Sequence, residues 1–167
     1  MAVCFHNPDE DNAQLSNWYP AVFDIEGRRF TSVEQYFMWK KATVFGDREA
    51  AAEILATKDC ATIKAIGRRV RGFDGARWSE MRVGVMKAGL LAKFRQNPEL
   101  KAMLLATENE RLVECSADDL VWGSGLAMTD PCRADASRMR GENLMGRTLT
   151  AVRELIREEE KRPNGAA

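Results

Sequence analysis

Glu34 and Lys41 stand seven residues apart, a spacing that puts a carboxylate and an amine on one face of a helix with about 10.5 Å of rise between them. A ligand lying between two such groups meets a proton donor or acceptor at one end and a nucleophilic amine at the other. The simpler reading makes Glu34 the N3 carboxylate of a capping box and Lys41 a solvated helix lysine beside Lys40. Two further groupings carry chemistry. Asp119-Leu-Val-Trp122-Gly123-Ser-Gly125 joins a carboxylate and a large flat ring to glycines that allow close backbone approach, which suits a stacked base or sugar, although Trp122 also reads as core filler. Gly141-Glu-Asn143 and Gly146 open the last helix and present backbone N–H groups to an anion, or simply cap that helix.

Charge narrows the classes. Twenty-five Lys and Arg offset 25 Asp and Glu, so no overall field holds a polyanion and a basic coat for nucleic acid is excluded. Locally the balance differs: residues 64 to 95 carry nine Lys and Arg against Asp74 and Glu80, an excess of +7. Arg68, Arg69 and Arg71 cluster there between Gly67 and Gly72, where guanidinium forks clamp a phosphate or neutralise a helix C-terminus. With His6 the only histidine and Cys4, Cys60, Cys115 and Cys132 scattered without a CxxC, no metal cluster or redox pair is expected. Chemistry then falls to carboxylates, lysines, arginines and aromatics. Residues 1 to 14 lack a basic start and an apolar run, and no stretch approaches 18 consecutive apolar residues, so a chain without a signal or membrane anchor, working in the cytoplasm, is expected.

The elements that must position these groups are mostly helices. At 167 residues, 45% hydrophobic and 30% charged, the chain suits one globular domain, taken here as residues 1 to 162 with a frayed tail at 163 to 167. Alternation around Glu26-Gly27 predicts a short hairpin over residues 20 to 30. Thr31-Ser32 followed by Glu34-Gln35 opens a first helix to about Phe45, and Asp47 starts an alanine-rich second. A third spans about Ala61 to Val70, a long amphipathic fourth runs from Trp78 to Arg95, and Asn97-Pro98 opens a fifth. A strand at 111 to 115, an acidic aromatic loop and a final helix from near Glu142 complete a helix-dominated α+β reading with a small β-sheet.

The order of these blocks resembles a known family. LSNWYPAVF (15 to 23), VEQYFMWKKATVFGD (33 to 47), IGRRV (66 to 70), Trp78-x3-Arg82-x3-Met86, KFRQNPELKAMLLAT (93 to 107), LVECSADDLVWGSG (112 to 125) and RGENLMGRTLTAVRE (140 to 154) resemble the NADAR (YbiA-like) family over roughly residues 5 to 156. That resemblance implies a compact helical fold with a small sheet and N-glycosidase activity on ribosyl-amine bonds, without a cofactor or metal. It implies two substrate branches: ADP-ribose on the exocyclic amine of guanine in DNA or RNA, with a DarT-type toxin as functional partner of some members, or ribosylamino-pyrimidine intermediates of riboflavin synthesis. The LSNWYP and WGSG blocks look closer to the first branch. A non-catalytic ADP-ribose-binding module is the alternative of another class.

Carried over position by position, the resemblance implies Glu34, Lys41 and Asp119 as catalytic residues, with Glu34 and Asp119 as the acid/base pair and Lys41 as a Schiff-base nucleophile. It implies Ser16, Asn17, Tyr36, Arg68, Trp78, Trp122, Gly123, Gly125, Asn143 and Gly146 as substrate-binding residues, with phosphate on Arg68, backed by Arg69 or Lys93. Ser124 stands where relatives often carry Asp, and the stretch from Thr129 to Met139 is longer than in short members.

Overall fold

The structure, a computed structural model, describes residues 1–162, so the expected tail at 163–167 lies outside the described residues. The chain divides into two units, one contiguous from Asn17 to Asn97 and one formed by Met1–Ser16 together with the chain from Pro98 onward. Both are built from the elements the sequence predicts, with an added strand and short 3-10 turns at Ala13–Leu15 and Ala136–Arg138.

In the contiguous unit, β2 (Phe23–Ile25) and β3 (Arg28–Phe30) pair antiparallel, with Phe23 opposite Phe30. Glu26 and Gly27 both take positive φ, 52° and 72°, the turn whose twist matches that of the strands it joins. Phe23 and Phe30 then meet Tyr36 and Trp39 of the first helix. Four helices follow: α1 (Val33–Val44), α2 (Arg48–Leu55), α3 (Cys60–Arg68) and α4 (Gly75–Gln96). Each starts the same way. Ser32, Asp47, Asp59 and Asp74 accept a hydrogen bond from the backbone N–H three residues on, at Gln35, Ala50, Thr62 and Arg77, satisfying one of the donors that a helix start leaves open. Helix α1 is the shared element, packing on α2, α3 and α4. Lys93 of α4 is wholly buried, with its ammonium 5.6 Å from the Tyr19 ring centre, and burial pushes its pKa down to about 7.

The other unit contains the unexpected strand. β1 (Ala2–Phe5) pairs in parallel with β4 (Arg111–Glu114), Ala2 against Arg111 and Phe5 against Glu114. The single histidine is anchored beside this ladder, with His6 Nδ1 2.6 Å from the buried Glu114 carboxylate. Helix α5 (Pro98–Ala106) and helix α6 (Leu144–Lys161) complete the unit, with α6 lying on β4. Cys4 and Cys115 sit with Val113 in the apolar core, as inert small residues would. Among the described residues the β content is thus two two-stranded ladders in a helix-dominated α+β fold. Among the described residues no helix is long and apolar enough to cross a membrane.

The contact of α6 with β4 is close enough to demand glycine. A Cβ at Gly146 would lie 1.9 Å from the Leu112 carbonyl oxygen, a backbone atom that cannot step aside. Gly146→Ala is expected to lower unfolding free energy by about 1–3 kcal/mol or more, as overpacking does. Urea denaturation checks this, and a variant as stable as the parent would show that the approach is not tight.

Candidate active site

The first turn of α1 decides what Glu34 does. With Ser32 as N-cap, N3 is Gln35, and the Gln35 Oε1 accepts from Thr31 N–H at 2.8 Å while Nε2 donates to the carbonyls of Ile54 and Thr57. Gln35 is therefore the capping side chain, which corrects the reading of Glu34 as the N3 cap. Glu34 occupies N2, only 4% exposed, where the positive end of the helix favours a carboxylate. Asn17 holds it twice: the side-chain amide donates to Glu34 Oε2 at 2.5 Å, and the Asn17 carbonyl accepts Glu34 N–H at 3.0 Å.

Lys41 lies two turns on along the same face. Its ammonium donates to the Gly67 carbonyl at 2.7 Å and sits 4.3 Å from the centre of the Phe73 ring. Helix α3 reaches this close because residue 67 lacks a side chain; a Cβ there would fall 2.2 Å from Met38 Sδ. Burial lowers the Lys41 pKa below its ordinary value, and the charge of Glu34 offsets part of that drop. Carboxylate and amine are thus electrostatically joined, as their helical spacing implied.

Phe73, which the sequence reading did not single out, is set over Lys41 by a buried tie. Asp47, already the N-cap of α2, also accepts from Arg71 N–H at 2.8 Å and from the Arg71 guanidinium at 3.0 Å. The Arg71 guanidinium and the two backbone donors hold the Asp47 carboxyl far below the usual carboxylate range. Gly72 then turns the chain at φ 71°, and Phe73 packs edge-on against Phe45 at 5.3 Å. The sequence signal was available: an aromatic between Gly72 and Gly75, directly after the arginine cluster.

Other expected residues lie elsewhere or have structural partners. Tyr36 faces the hairpin, in edge contact with Phe30 at 5.3 Å, and burial raises its pKa above the usual phenol range. Tyr36 and Trp39 thus form one aromatic cluster with Phe23 and Phe30. Trp78 is 7% exposed and packs between Phe37 and Phe45. Arg68 is exposed beside Gly67, Arg69 is tied to Glu53, and Lys93 is too deeply enclosed to stand behind either.

In the unit that contains β4, Asp119 Oδ1 accepts the N–H groups of Val121 at 2.9 Å and Trp122 at 2.8 Å, fixing the loop that carries the half-buried Trp122. Gly123 and Gly125 are pressed by chain neighbours, their Cβ positions falling 2.6 Å from the Asp119 carbonyl oxygen and 2.9 Å from Leu120 Cδ2. Asn143, left-handed at φ 50°, accepts from Glu114 N–H at 3.0 Å and donates to the Leu112 carbonyl at 2.9 Å. Asn143 and Gly146 brace α6 on β4. Ser16 is buried, with its N–H on the Ala13 carbonyl.

A buried carboxylate held by an amide thus stands seven residues before an amine of lowered pKa on one helix. The sequence model of the NADAR domain matches residues 4–157. The chain belongs to the NADAR family. It is 35% identical over 160 residues to N-glycosidase R617 of Acanthamoeba polyphaga mimivirus, covering 91% of this chain and 94% of that protein. It is 32% identical over 156 residues to riboflavin biosynthesis protein VVA0006 of Vibrio vulnificus, covering 93% of this chain but 39% of the relative. The NMR structure of Escherichia coli YbiA superposes with a TM-score of 0.78 at 27% identity, over all of this chain and 94% of that one.

Titration of labelled lysine by NMR tests the coupling around Lys41. Its pKa is expected below 10.5 in the parent. Glu34→Gln lowers it further by removing the charge that held it up, so that more neutral amine remains at pH 7, and Phe73→Ala shifts it by removing the ring face over the ammonium. A pKa that stays put in both variants would separate Lys41 from both neighbours.

Proposed function

We propose that this NADAR chain is an N-glycosidase that hydrolyses the bond between ribose C1 and an amine nitrogen, removing ADP-ribose from the exocyclic amine of guanine in nucleic acid. The observation that carries the reading is the Glu34–Lys41 pair on α1: a carboxylate held by Asn17 and, coupled to it, a lysine whose amine is more readily neutral than a solvated one. The relatives named as N-glycosidases, R617 and YbiA, support the reaction class.

The chemistry follows from the two groups. Opening of the ribose ring at the aminal carbon leaves an imine between C1 and the base nitrogen. The neutral Lys41 amine adds to C1, a proton relayed by Glu34 goes to the departing nitrogen, and the C1–N bond breaks to leave a Schiff base between C1 and Lys41. Water then adds to C1, the lysine departs, and the released aldehyde closes to the free sugar. One water is consumed, and the products are the unmodified base and ADP-ribose. Asp119 is the second carboxylate of this proposal.

Zero net charge fits a nucleic acid held chiefly through one modified nucleotide, with a shallow dependence on salt. A DarT-type toxin acting in the same cytoplasm is then the functional partner that supplies the modified base. A second reading, cleavage of a ribosylamino-pyrimidine intermediate, has its own support in the name of the Vibrio vulnificus relative.

Incubating the chain with both substrates and measuring released ADP-ribose against ribose 5-phosphate separates the branches. Glu34→Gln and Lys41→Ala are each expected to cut turnover by about 10²-fold or more. Borohydride with substrate is expected to leave a reduced adduct on Lys41. Full turnover in both variants overturns the assignment, and ADP-ribose binding with no hydrolysis of either substrate favours a binding module.

A further inference from the structure

The local excess of +7 is largely absorbed inside the contiguous unit. Arg69 pairs with Glu53, and Arg71 pairs with Asp47 and Glu49. Lys64 lies over the Trp18 ring, Arg77 over the Phe45 ring, and Lys93 is enclosed against Tyr19. Arg82 differs from all of these. Its side chain is half-buried, and Nε is buried with no hydrogen-bond partner among the described residues.

Its place on α4 gives this orphan donor meaning. Residues 78, 82, 85 and 89 share one helical stripe. Trp78 meets Phe37 of α1 and Phe45 at its C-terminal cap, whereas Gly89 approaches Val33 and Tyr36, so α4 runs antiparallel along α1. Arg82 falls between these two contacts, level with the stretch of α1 that carries Glu34 and Lys41. Trp78, Arg82 and Met86 also form a block that the sequence reading singled out and the catalytic pair does not use.

A guanidinium Nε withdrawn from water with no acceptor is costly, and a phosphate group supplies several acceptors in the geometry a guanidinium fork matches. We propose that Arg82 is the anion-recognising residue of this site, binding a phosphate group attached to the ribose of the substrate. The inference rests on the N-glycosidase reading for its substrate. It takes the phosphate from Arg68, an exposed side chain that water already serves, and gives it to a half-buried one whose Nε lacks an acceptor, where charge recognition is stronger. The shared chemistry is a phosphorylated ribose, whether a monoester or the diphosphate of ADP-ribose.

Binding to the full chain tests this without turnover. Calorimetry with ribose 5-phosphate and with ribose is expected to show a preference of about tenfold or more for the phosphorylated sugar in the parent. Arg82→Gln abolishes that preference, Arg82→Lys keeps part of it, and Arg68→Gln leaves it nearly unchanged. In the parent chain, ribose 5-phosphate also protects Arg82 from phenylglyoxal, read by mass spectrometry, which needs no variant to fold. The proposal is overturned if Arg82→Gln keeps the parental preference, if it weakens both sugars equally, if Arg68→Gln removes the preference, or if Arg82 is not protected. Turnover of either substrate by a chain that fails these tests overturns this inference alone; intact discrimination with no turnover overturns the enzymatic reading instead.

Discussion

A carboxylate that is 4% exposed has lost nearly all its water and must be met by donors from the protein, and the Asn17 amide that meets Glu34 sets conditions on everything around it. The chain before α1 has to return across the first turn of the helix so that residue 17 gives its amide to the side chain and its carbonyl to the backbone of Glu34. The cap then has to come from another residue, which Gln35 provides while also tying α1 to the end of α2 through Ile54 and Thr57. With the first turn fixed, the face bearing Lys41 is fixed two turns on. There the missing side chain of Gly67 lets a carbonyl of α3 reach the amine.

The local beginnings of the helices were legible because their caps are short-range chemistry: Ser32 and Asp47 announce α1 and α2 within four residues, and Glu26-Gly27 announces the hairpin. The Glu34–Lys41 spacing was legible for the same reason. Strand β1 was not, because AVCF becomes a strand only against residues 111–114, and nothing local marks that partner. The choice between Glu34 and Gln35 as cap was equally closed to inspection, since both side chains fit the pattern and Asn17, outside the helix, decides it. Tyr36 and Trp39 share the block that carries Glu34, but their direction follows from the packing of Phe23 and Phe30.

Charge shows the same contrast between sum and place. The segment from 64 to 95 looks like a phosphate-binding surface in the sequence, yet the structure ties most of its cations to carboxylates and rings of the same unit. Local density of charge in the sequence therefore overstates how much of it stands unpaired in the fold. The glycines carry a parallel lesson: Gly123, Gly125 and Gly146 are as consistent with a ligand-cradling loop as with tight packing until the neighbouring atoms are known, and those neighbours are parts of the chain itself.

The parallel ladder between β1 and β4 has a consequence for biosynthesis. All of residues 17–97 have been synthesised before Arg111, the partner of Ala2, is added. Helix α1, which carries both Glu34 and Lys41, is therefore made well before the first strand has a partner to pair with. Closing that ladder comes late, across a long loop. Until residues 111–114 are made, an AVCF segment without its partner is an unpaired edge that a neighbouring nascent chain can capture, so the order of synthesis places a demand for protection on Ala2–Phe5.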